Sequence, residues 1–403
     1  MLHKRAILLL LTLIASGGAA EIQVSAVQPS NIGRNVPIEL TSNKPYAGVQ
    51  VNGKGPYAFL LDSGASFNVL DKDRASALGI SATGNKRVRG AGEGSLTSGV
   101  AKNVALALSG LSLPGRDIQV LAVNAALSQV EGRAVDGLLG YDFFRQFVVE
   151  IDYGAQRINV YDPASRPRVA GDRIPLRIVR EHALVSATLV LSDGRSVPGE
   201  FMVDTGWRSG VTLNAPFSKA QRIPRTIDKT IEGITGIGIG GPTKDVIGRV
   251  RSLKLGSFTI ERPVVAFSRS GIGSDHGFSG IIGGEVLRRF RVVLDYPHQQ
   301  MFLEANPSFS EPYEFDMSGM FLTTGAEGLE KLQVREVLNS SPASEAGVRP
   351  GDVIAAVDNL VAAQLSLECV RKLFKEREGK EYLLTVERGT RSLHLKIQLR
   401  RLI

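Results

Sequence analysis

Short apolar runs separated by turn residues dominate the chain from Val49 to about residue 305. Val49–Val51 and Tyr57–Leu61 flank the turn-forming residues 53 to 56, and similar runs recur at Val104–Leu108 and Ile118–Val123. Apolar stretches of this length, bounded by Gly, Pro and Asn, are typical of β-strands. The pattern therefore predicts a mainly β protein through this region.

Two of these apolar runs end in an aspartate that begins a tight turn. Residues 59–64 read Phe-Leu-Leu-Asp-Ser-Gly, and residues 201–206 read Phe-Met-Val-Asp-Thr-Gly. Each strand would deliver its carboxylate, Asp62 or Asp204, to the base of a cleft, and the glycine permits a turn that a Cβ would block. One such motif alone is equally compatible with an ordinary strand-to-turn junction in which Asp caps its own backbone.

The sequence that follows each aspartate also repeats. A Gly-Leu-Leu-Gly segment ends 78 residues after Asp62, and a Gly-Ile-Ile-Gly segment ends 79 residues after Asp204. An apolar strand closed by Asp-Tyr follows in each copy, at Asp152 and at Asp295. Ordered motifs at nearly equal spacing indicate an internal duplication.

The duplicated pattern resembles the aspartic proteases over roughly residues 45 to 307. Their half-site is an Asp-Thr/Ser-Gly turn followed by two apolar residues and Gly, and both halves stand on this single chain. The resemblance implies two duplicated β-barrel lobes of the retropepsin or pepsin type, with an active-site cleft between them. It implies that Asp62 and Asp204 are the catalytic residues of an endopeptidase whose substrate is a polypeptide.

The same resemblance assigns roles to the residues that follow each aspartate. Ser63 and Thr205 would lock the two turns by hydrogen bonds to backbone across the lobe interface. Gly64 and Gly206 would let backbone N–H groups approach the carboxylates.

Two carboxylates about 3 Å apart cannot both ionise cheaply, so the pair holds one proton between two separated pKa values. The ionised member takes a proton from a water that attacks the scissile carbonyl, and the protonated member donates to the carbonyl oxygen. This chemistry requires no cofactor and no metal, and the sequence predicts neither. His182, His276 and His298 have no metal-ligand spacing.

Glycine-rich hairpin tips in each half are candidate flaps over the cleft. They contain Gly90, Gly92 and Gly94 in the first half and Gly236 and Gly238 in the second. A flap is a mobile lid whose backbone hydrogen-bonds an extended peptide, and a plain flexible hairpin is the alternative. A dinucleotide-binding loop is disfavoured because no βαβ pattern surrounds the second set.

The sequence pattern changes after residue 312. Residues 341–354 read Ser-Pro-Ala-Ser-Glu-Ala-Gly-Val-Arg-Pro-Gly-Asp-Val-Ile. This string resembles the PDZ family, over about residues 314–403, which implies an α+β domain that binds an extended peptide between a strand and a helix.

By position, the loop that would hold a peptide's terminal carboxylate consists of Ser318 and the four groove residues that follow it: Gly319, Met320, Phe321 and Leu322. The family usually has glycine where Phe321 stands. Binding of an internal strand, or packing of the domain on the protease lobes as a structural cap, is the alternative.

Charge and cysteine content narrow the function classes. The net charge of +8 comes from Lys and Arg scattered among acids, without a basic run interleaved with aromatics, so nucleic-acid binding is not expected. The charge is compatible with peripheral attraction to acidic envelope surfaces. Cys369 is the only cysteine, which excludes an intramolecular disulfide and is compatible with a bacterial periplasm or an outside medium.

The N-terminus predicts export. Lys4 and Arg5 precede an apolar run at Ile7–Ile14 and small residues that offer a cleavage site near Ala20, as in a secretory signal peptide. An uncleaved N-terminal anchor is the alternative. The predicted domains are a signal peptide (1–20), an N-terminal arm (21–44), a first protease lobe (45–165), a second lobe (166–307) and a PDZ domain (314–403).

Trp207 is the reason for a second functional hypothesis. The aspartic proteases place a small residue after the second Asp-Thr-Gly, whereas this chain has its only tryptophan there. Its indole would either point out of the turn or fill part of the cleft. The alternative function is therefore a catalytically weak protease-like scaffold that binds peptides through its PDZ domain.

Overall fold

A computed structural model describes residues 31–165, 170–268, 277–325, 328–361 and 364–403 of the 403-residue chain. The predicted signal peptide and residues 21–30 of the predicted arm lie outside the described residues, as does His276. No helix in the described part is long and apolar enough to cross a membrane.

The first lobe contains ten strands and three short helices. The strands are β1 (Asn31–Thr41), β2 (Lys44–Val51), β3 (Lys54–Leu61), β4 (Val69–Asp71), β5 (Ala82–Arg89), β6 (Ser95–Leu108), β7 (Leu111–Leu121), β8 (Gly137–Leu139), β9 (Val148–Asp152) and β10 (Arg157–Tyr161). The helices are α1 (Lys72–Ala77), α2 (Val123–Glu131) and α3 (Tyr141–Phe144).

The second lobe repeats this plan. Its strands are β11 (Asp172–Pro175), β12 (Arg177–Val179), β13 (His182–Val190), β14 (Ser196–Val203), β15 (Val211–Leu213), β16 (Ile231–Gly238), β17 (Gly241–Arg249), β18 (Ser252–Leu255), β19 (Phe258–Glu261), β20 (Val264–Ser268), β21 (Gly280–Ile282), β22 (Phe290–Asp295) and β23 (Gln300–Ala305). Its α-helices are α4 (Ala215–Ala220) and α5 (Gly284–Leu287).

The C-terminal domain is a separate small α+β unit. Its strands are β24 (Met320–Gly325), β25 (Gly328–Val337), β26 (Val353–Val357), β27 (Leu360–Val361), β28 (Glu381–Arg388) and β29 (Arg391–Gln398), and its helices are α6 (Pro342–Glu345) and α7 (Leu367–Leu373). It has its own apolar core, distinct from the core that runs through the two lobes. The predicted fold class, two β lobes followed by an α+β domain, is confirmed.

The sequence duplication is also a duplication of strand pairing. β3 runs parallel to β8, with Leu61 opposite Leu139, and β14 runs parallel to β21, with Val203 opposite Ile282. The other edge of β8 pairs antiparallel with the short strand β4, and the other edge of β21 pairs in the same way with β15. β8 and β21 are buried along their whole length, which explains why their sequences are continuous apolar runs.

One sheet joins the two lobes. Its order β11-β23-β22-β9-β10-β1 combines strands of both halves, and the seam is the antiparallel pair β9–β22, with Val149 opposite Leu294. The hydrogen-bonded ladder fixes the lobes relative to each other. β1 belongs to this sheet, so the predicted boundary at residue 45 is wrong: Asn31–Thr41 is a lobe strand rather than part of an arm.

Candidate active site

The two Asp turns occupy equivalent positions at the ends of β3 and β14. The backbone N–H of Asp62 donates to the carbonyl of Leu139 at 2.9 Å, and that of Asp204 donates to the carbonyl of Ile282 at 3.0 Å. Each aspartate is thus held by the Gly-apolar-apolar-Gly strand of its own lobe. This pairing explains why the aspartate and the Gly-apolar-apolar-Gly segment are separated by nearly the same number of residues in both halves.

Ser63 and Thr205 join the two turns by reciprocal hydrogen bonds. The Ser63 N–H donates to Thr205 Oγ1 at 3.0 Å, and the Thr205 N–H donates to Ser63 Oγ at 2.9 Å. Each hydroxyl in turn donates to a carbonyl of the opposite lobe, Ser63 to Val203 at 2.8 Å and Thr205 to Leu61 at 2.6 Å. Both side chains are fully buried, so these four bonds define the relation between the lobes at the base of the cleft.

The glycines of the turns bring the two carboxylates together. The Gly64 N–H donates to Asp62 Oδ1 at 3.0 Å, and the Gly206 N–H donates to Asp204 Oδ1 at 2.8 Å. A Cβ on Gly64 would lie 2.4 Å from Asp204 Oδ2, and a Cβ on Gly206 would lie 2.4 Å from Asp62 Cγ. Any side chain at either position would therefore push the facing carboxylate away.

The electrostatics of the pair favour a shared proton. The carboxyl groups of Asp62 and Asp204 face each other across the lobe interface, since a Cβ added to the glycine of either turn would lie within 2.8 Å of the carboxyl of the other turn. Burial raises the pKa of both groups, and the charge of Asp62 raises the pKa of Asp204 further, well above its usual range. The pair therefore keeps one proton at a pH where isolated carboxyls have lost theirs.

This shift predicts that the pair destabilises the protein at neutral pH. The contribution of a carboxyl whose folded-state pKa is raised is fully present below its unfolded pKa of about 3.9, and it is lost as pH rises from there through the folded pKa. We expect Asp204→Asn to raise the melting temperature at pH 7, by roughly 2–4 °C for each kcal/mol recovered, and to have little effect near pH 3.5. Calorimetry at both pH values measures the difference.

Asp193→Asn is the matched control, because Asp193 is an exposed turn carboxylate whose pKa is lowered by Arg195. It should not raise the melting temperature at pH 7. A melting temperature of the Asp204→Asn protein below that of the wild type at pH 7 would contradict the raised pKa of the pair.

A buried ionic cluster that the sequence analysis missed lies beside the pair. Lys44 Nζ is 2.7 Å from Glu131 Oε1, and the Tyr46 hydroxyl donates to Glu131 Oε2 at 3.1 Å. Burial opposes ionisation of Glu131, but the charges of Lys44, Arg371 and Arg208 together outweigh it and lower the pKa of Glu131. The Lys44 charge also acts on Asp62 and Asp204 and offsets part of the rise in their pKa values.

Two tyrosines lie beneath the pair, at the matched Asp-Tyr positions. The hydroxyl of Tyr296 donates to the Ser63 carbonyl at 3.4 Å, and that of Tyr153 has no hydrogen-bond partner among the described residues. Burial, with the charge of Asp204, raises both tyrosine pKa values. The preceding aspartates, Asp152 and Asp295, each accept a backbone N–H within a turn, as the sequence predicts for strand-end carboxylates.

The two candidate flaps meet at their tips. The N–H of Gly92 donates to the Ile239 carbonyl at 3.0 Å, and the N–H of Gly94 donates to the Gly240 carbonyl at 2.8 Å. A Cβ on Gly90, Gly92 or Gly238 would lie within 2.7 Å of an atom of the opposite flap. These glycines therefore permit the close contact, whereas Gly236 lies farther down its hairpin, opposite Thr243.

Ile239 anchors this contact by packing on an apolar cluster of the first lobe that includes Leu60 and Val69. We expect Ile239→Ala to raise KM for a peptide and to speed hydrogen exchange of the Gly92 and Gly94 amides about 10-fold, because losing about 1–2 kcal/mol of apolar burial favours the open flaps. Ile237→Ala, two residues earlier in β16 and outside that cluster, is the control. Equal exchange rates in the two variants would exclude this anchoring role.

The indole of Trp207 packs on the second lobe. It contacts an apolar cluster that includes Leu184 and Met202, and its Nε1–H donates to Thr212 Oγ1 at 2.9 Å. The hydrogen bond and the apolar contacts hold the ring in place directly after the second Asp turn.

The carboxylate-binding loop of the C-terminal domain is capped by the chain itself. The N–H groups of Ser318 and Gly319 donate to Asp316 Oδ1 at 3.0 and 2.7 Å, and the N–H of Met320 donates to Ser318 Oγ at 3.1 Å. Among the predicted groove residues, Gly319 and Met320 thus have no free amide to offer. Capture of a peptide carboxylate by these two amides would therefore require these hydrogen bonds to break.

The C-terminal domain also packs on the protease lobes. Arg371 of α7 donates to Leu322 O of β24 at 3.0 Å and to Ser42 Oγ in the β1–β2 turn at 2.9 Å. The Ser42 N–H donates to Glu368 at 3.0 Å, and the Thr324 hydroxyl donates to the Gln129 carbonyl of α2 at 3.2 Å. A turn of the first lobe therefore lies at the groove between β24 and α7.

No three His, Cys, Asp or Glu side chains within the described ranges are arranged to hold a metal ion. Cys369 is half-buried on α7 and packs against the domain core.

Comparison with known proteins agrees with the geometry. The Aspartyl protease family profile matches residues 47–143 and 186–286, one segment in each lobe. A PDZ domain profile matches residues 311–399. The chain therefore combines a two-lobed aspartyl protease domain with a C-terminal PDZ domain. A solved aspartic proteinase from Irpex lacteus is 16% identical, with a TM-score of 0.44 over 69% of this chain and 98% of that one.

Curated relatives carry a different protease name. A probable CtpA-like serine protease of Staphylococcus haemolyticus is 27% identical over 174 residues, which cover 42% of this chain and 33% of that protein. A protein of the same name from Staphylococcus saprophyticus is 32% identical over 109 residues, 26% of this chain and 21% of the relative. The chain thus spans a third or less of the length of these relatives. The two sets of comparisons agree on a protease-like protein.

Proposed function

We propose that the protein is an aspartic endopeptidase that cleaves polypeptides with Asp62 and Asp204. The observation that carries the proposal is the close approach of the two carboxyl groups across the lobe interface, which the reciprocal hydrogen bonds of Ser63 and Thr205 lock from both sides. Two titratable groups held together with separated pKa values are the arrangement that general acid–base chemistry needs.

The mechanism follows from the shared proton. A water between the carboxyls loses a proton to the ionised aspartate and attacks the scissile carbonyl carbon, while the protonated aspartate donates its proton to the carbonyl oxygen. The aspartate that took the water's proton then donates it to the peptide nitrogen and the C–N bond breaks, while a hydroxyl of the tetrahedral intermediate returns a proton to the other aspartate, which restores the singly protonated pair. The two apparent pKa values belong to the pair rather than to either residue.

The pairing also supports the aspartic type over the serine type named for the curated relatives. The match to the Staphylococcus saprophyticus relative covers 109 residues, close to the 89 residues of the PDZ segment 311–399. A similarity of this size is compatible with a shared PDZ domain. In this chain the buried, lobe-bridging hydroxyls are Ser63 and Thr205, and both already donate to carbonyl oxygens.

Digestion of a peptide library by the purified protein, between pH 3 and pH 8, tests the proposal. Mass spectrometry should identify internal cleavage products whose yield follows a bell-shaped pH profile, because activity needs a pair with one proton. Asp62→Asn protein, purified identically, controls for contaminating proteases. Absence of cleavage by the wild type across this range would favour the alternative, a peptide-binding scaffold.

We also propose that the protein is exported and that its PDZ domain docks substrates or regulates access to the cleft. The basic and apolar N-terminal sequence supports export, to the periplasm or the medium. Mass determination of the mature N-terminus from fractionated cells tests export: a start near residue 21 in the exported fraction supports it, whereas an intact Met1 favours the membrane anchor.

A further inference from the structure

Lys44 lies opposite Asp62 in the sheet of the first lobe. β2 and β3 pair antiparallel, with Tyr46 opposite Leu60 in one apolar cluster. The same register, continued by two residues, places Lys44 opposite Asp62. Because side chains alternate between the two faces of a strand, Lys44 shares the face of Tyr46. Asp62 likewise shares the face of Leu60, so the ammonium and the carboxyl lie on one face of adjacent strands.

The Lys44 ammonium is buried and held in place. Its Nζ lies 2.7 Å from Glu131 Oε1, and the other oxygen of Glu131 accepts the Tyr46 hydroxyl at 3.1 Å. Little solvent screens a charge at such a site, so it acts strongly on its neighbours. Glu131 offsets only part of this charge, because its carboxylate also interacts electrostatically with Arg208 and Arg371.

The second lobe has a histidine at the matching position. β13 and β14 pair with Leu184 opposite Met202, and the same register, continued by two residues, places His182 opposite Asp204. An ammonium keeps its charge throughout the neutral pH range, whereas an imidazole changes its charge near pH 6.5. The duplicated lobes therefore place a permanent cation opposite the first aspartate and a titratable ring opposite the second.

Three tyrosines also surround the pair. Tyr153 and Tyr296 lie beneath it, and Tyr46 lies beside it on β2. Burial raises the pKa of all three hydroxyls, and nearby carboxylate charges raise these pKa values further. The tyrosines therefore stay protonated where the carboxyls titrate, and they carry no charge that offsets Lys44.

The electrostatic influences on the two carboxyls agree with this register. Burial raises the pKa of Asp62, and the charge of Lys44 is the strongest influence that opposes the rise. For Asp204, burial and the charge of Asp62 both raise the pKa, and the Gly206 N–H lowers it more than Lys44 does. Lys44 is thus the main counter-charge of Asp62 and a lesser one of Asp204.

We propose that Lys44 is a positioning residue that breaks the symmetry of the pair: it keeps the negative charge on Asp62 and leaves the shared proton on Asp204. Asp62 then takes the proton of the attacking water, and Asp204 donates its proton to the oxygen of the scissile carbonyl. The macroscopic pKa values still belong to the pair, whereas the place of the shared proton follows from the unequal surroundings. These catalytic roles rest on the proposed function; the place of the proton does not.

Carbon-13 NMR of the full-length protein, labelled at the aspartate carboxyl carbons and titrated from pH 3 to pH 9 without substrate, tests the proposal. Spectra of Asp62→Asn and Asp204→Asn proteins assign the two signals. We expect loss of the first proton to shift mainly the Asp62 signal. Lys44→Met should raise the pH of that step by at least about one unit, because a nearby opposite charge lowers a carboxyl pKa by about 1–3 units. Lys102→Met, at an exposed lysine of the same lobe, should leave it unchanged.

Glu131→Gln should move the same step to lower pH, opposite to Lys44→Met, because it removes the anion that offsets the lysine. Lys44→Arg keeps the charge and should keep the Asp62 signal first. His182→Gln should also keep the Asp62 signal first. A merely structural role of Lys44 would not produce shifts of opposite sign, and if Lys44→Met does not fold, Glu131→Gln and Lys44→Arg decide.

Equal movement of both signals during the first step in the wild type would overturn the proposal. So would a titration of the Lys44→Met protein identical to that of the wild type. If the wild type cleaves peptides, the acid limb of kcat/KM should shift in each variant as the NMR titration does. An inactive wild type would refute the proposed endopeptidase, while the NMR titration would still report which aspartate holds the proton.

Discussion

Asp62→Asn is expected to lower kcat/KM for a cleaved peptide by at least about 10³-fold, because an amide at this position can neither accept the proton of the attacking water nor share a proton with Asp204. The backbone of the turn should be unaffected, since an asparagine oxygen still accepts the Gly64 N–H. Initial rates with a fluorogenic peptide taken from the library digest, measured at the optimum pH, give the ratio.

Asp204→Asn should lower kcat/KM by as much as Asp62→Asn. The double variant should have about the same kcat/KM as either single variant, because the two residues act as one unit. Asp193→Asn, the exposed turn carboxylate, should retain full activity. If either single active-site variant kept more than about a tenth of the wild-type rate, a two-carboxylate mechanism would be ruled out.

The parts of the fold that the sequence predicted well are those encoded by local pattern and repeated twice. An apolar strand that ends in Asp-Ser/Thr-Gly has few alternative interpretations once a second copy appears with the same following motif at nearly the same distance. Both copies fold alike, with Leu61 opposite Leu139 and Val203 opposite Ile282. The duplication therefore allowed the two turns and their order to be predicted, whereas the sheet that joins the lobes through β9 and β22 was not predicted.

What the sequence could not supply depends on contacts between residues far apart in the chain. The partner of Lys44 is Glu131, 87 positions away, and no periodicity connects them. The N-terminal boundary was misplaced for a related reason: Asn31–Thr41 is polar and rich in turn-forming residues, and becomes a strand because β10 and β2 lie on either side of it. Tertiary pairing overrides local preference at such an edge.

The PDZ loop shows a further limit. The downstream Ser-Pro-Ala and Gly-Asp-Val-Ile segments predicted the position of the loop. They did not indicate whether its backbone N–H groups are already hydrogen-bonded. Asp316 lies two residues before Ser318 and caps it in a short-range turn, a role open to any aspartate near a loop. Only the folded geometry distinguishes an amide that awaits a ligand from one that is already bonded.

The hydrogen bonds of Thr205 should prove nearly as important to activity as the aspartates. Thr205→Val keeps the shape of the side chain but removes the hydroxyl, leaving the Ser63 N–H and the Leu61 carbonyl buried without a partner. Each unpaired group costs about 1–3 kcal/mol of unfolding free energy. Because the two turns also lose their mutual anchor, we expect kcat to fall about 10²-fold with KM little changed, as for a displacement of catalytic groups by about 1 Å.

Thr205→Ser separates this positioning role from a general loss of stability. The serine hydroxyl can donate to Leu61 and accept from Ser63, so kcat should stay within a few-fold of the wild type even if the lost methyl lowers the melting temperature. Steady-state kinetics and urea unfolding of both variants provide the comparison. A Thr205→Val enzyme with wild-type kcat would mean that the aspartates hold their positions without the bridge, and the lobe-spanning hydrogen bonds would then be structural only.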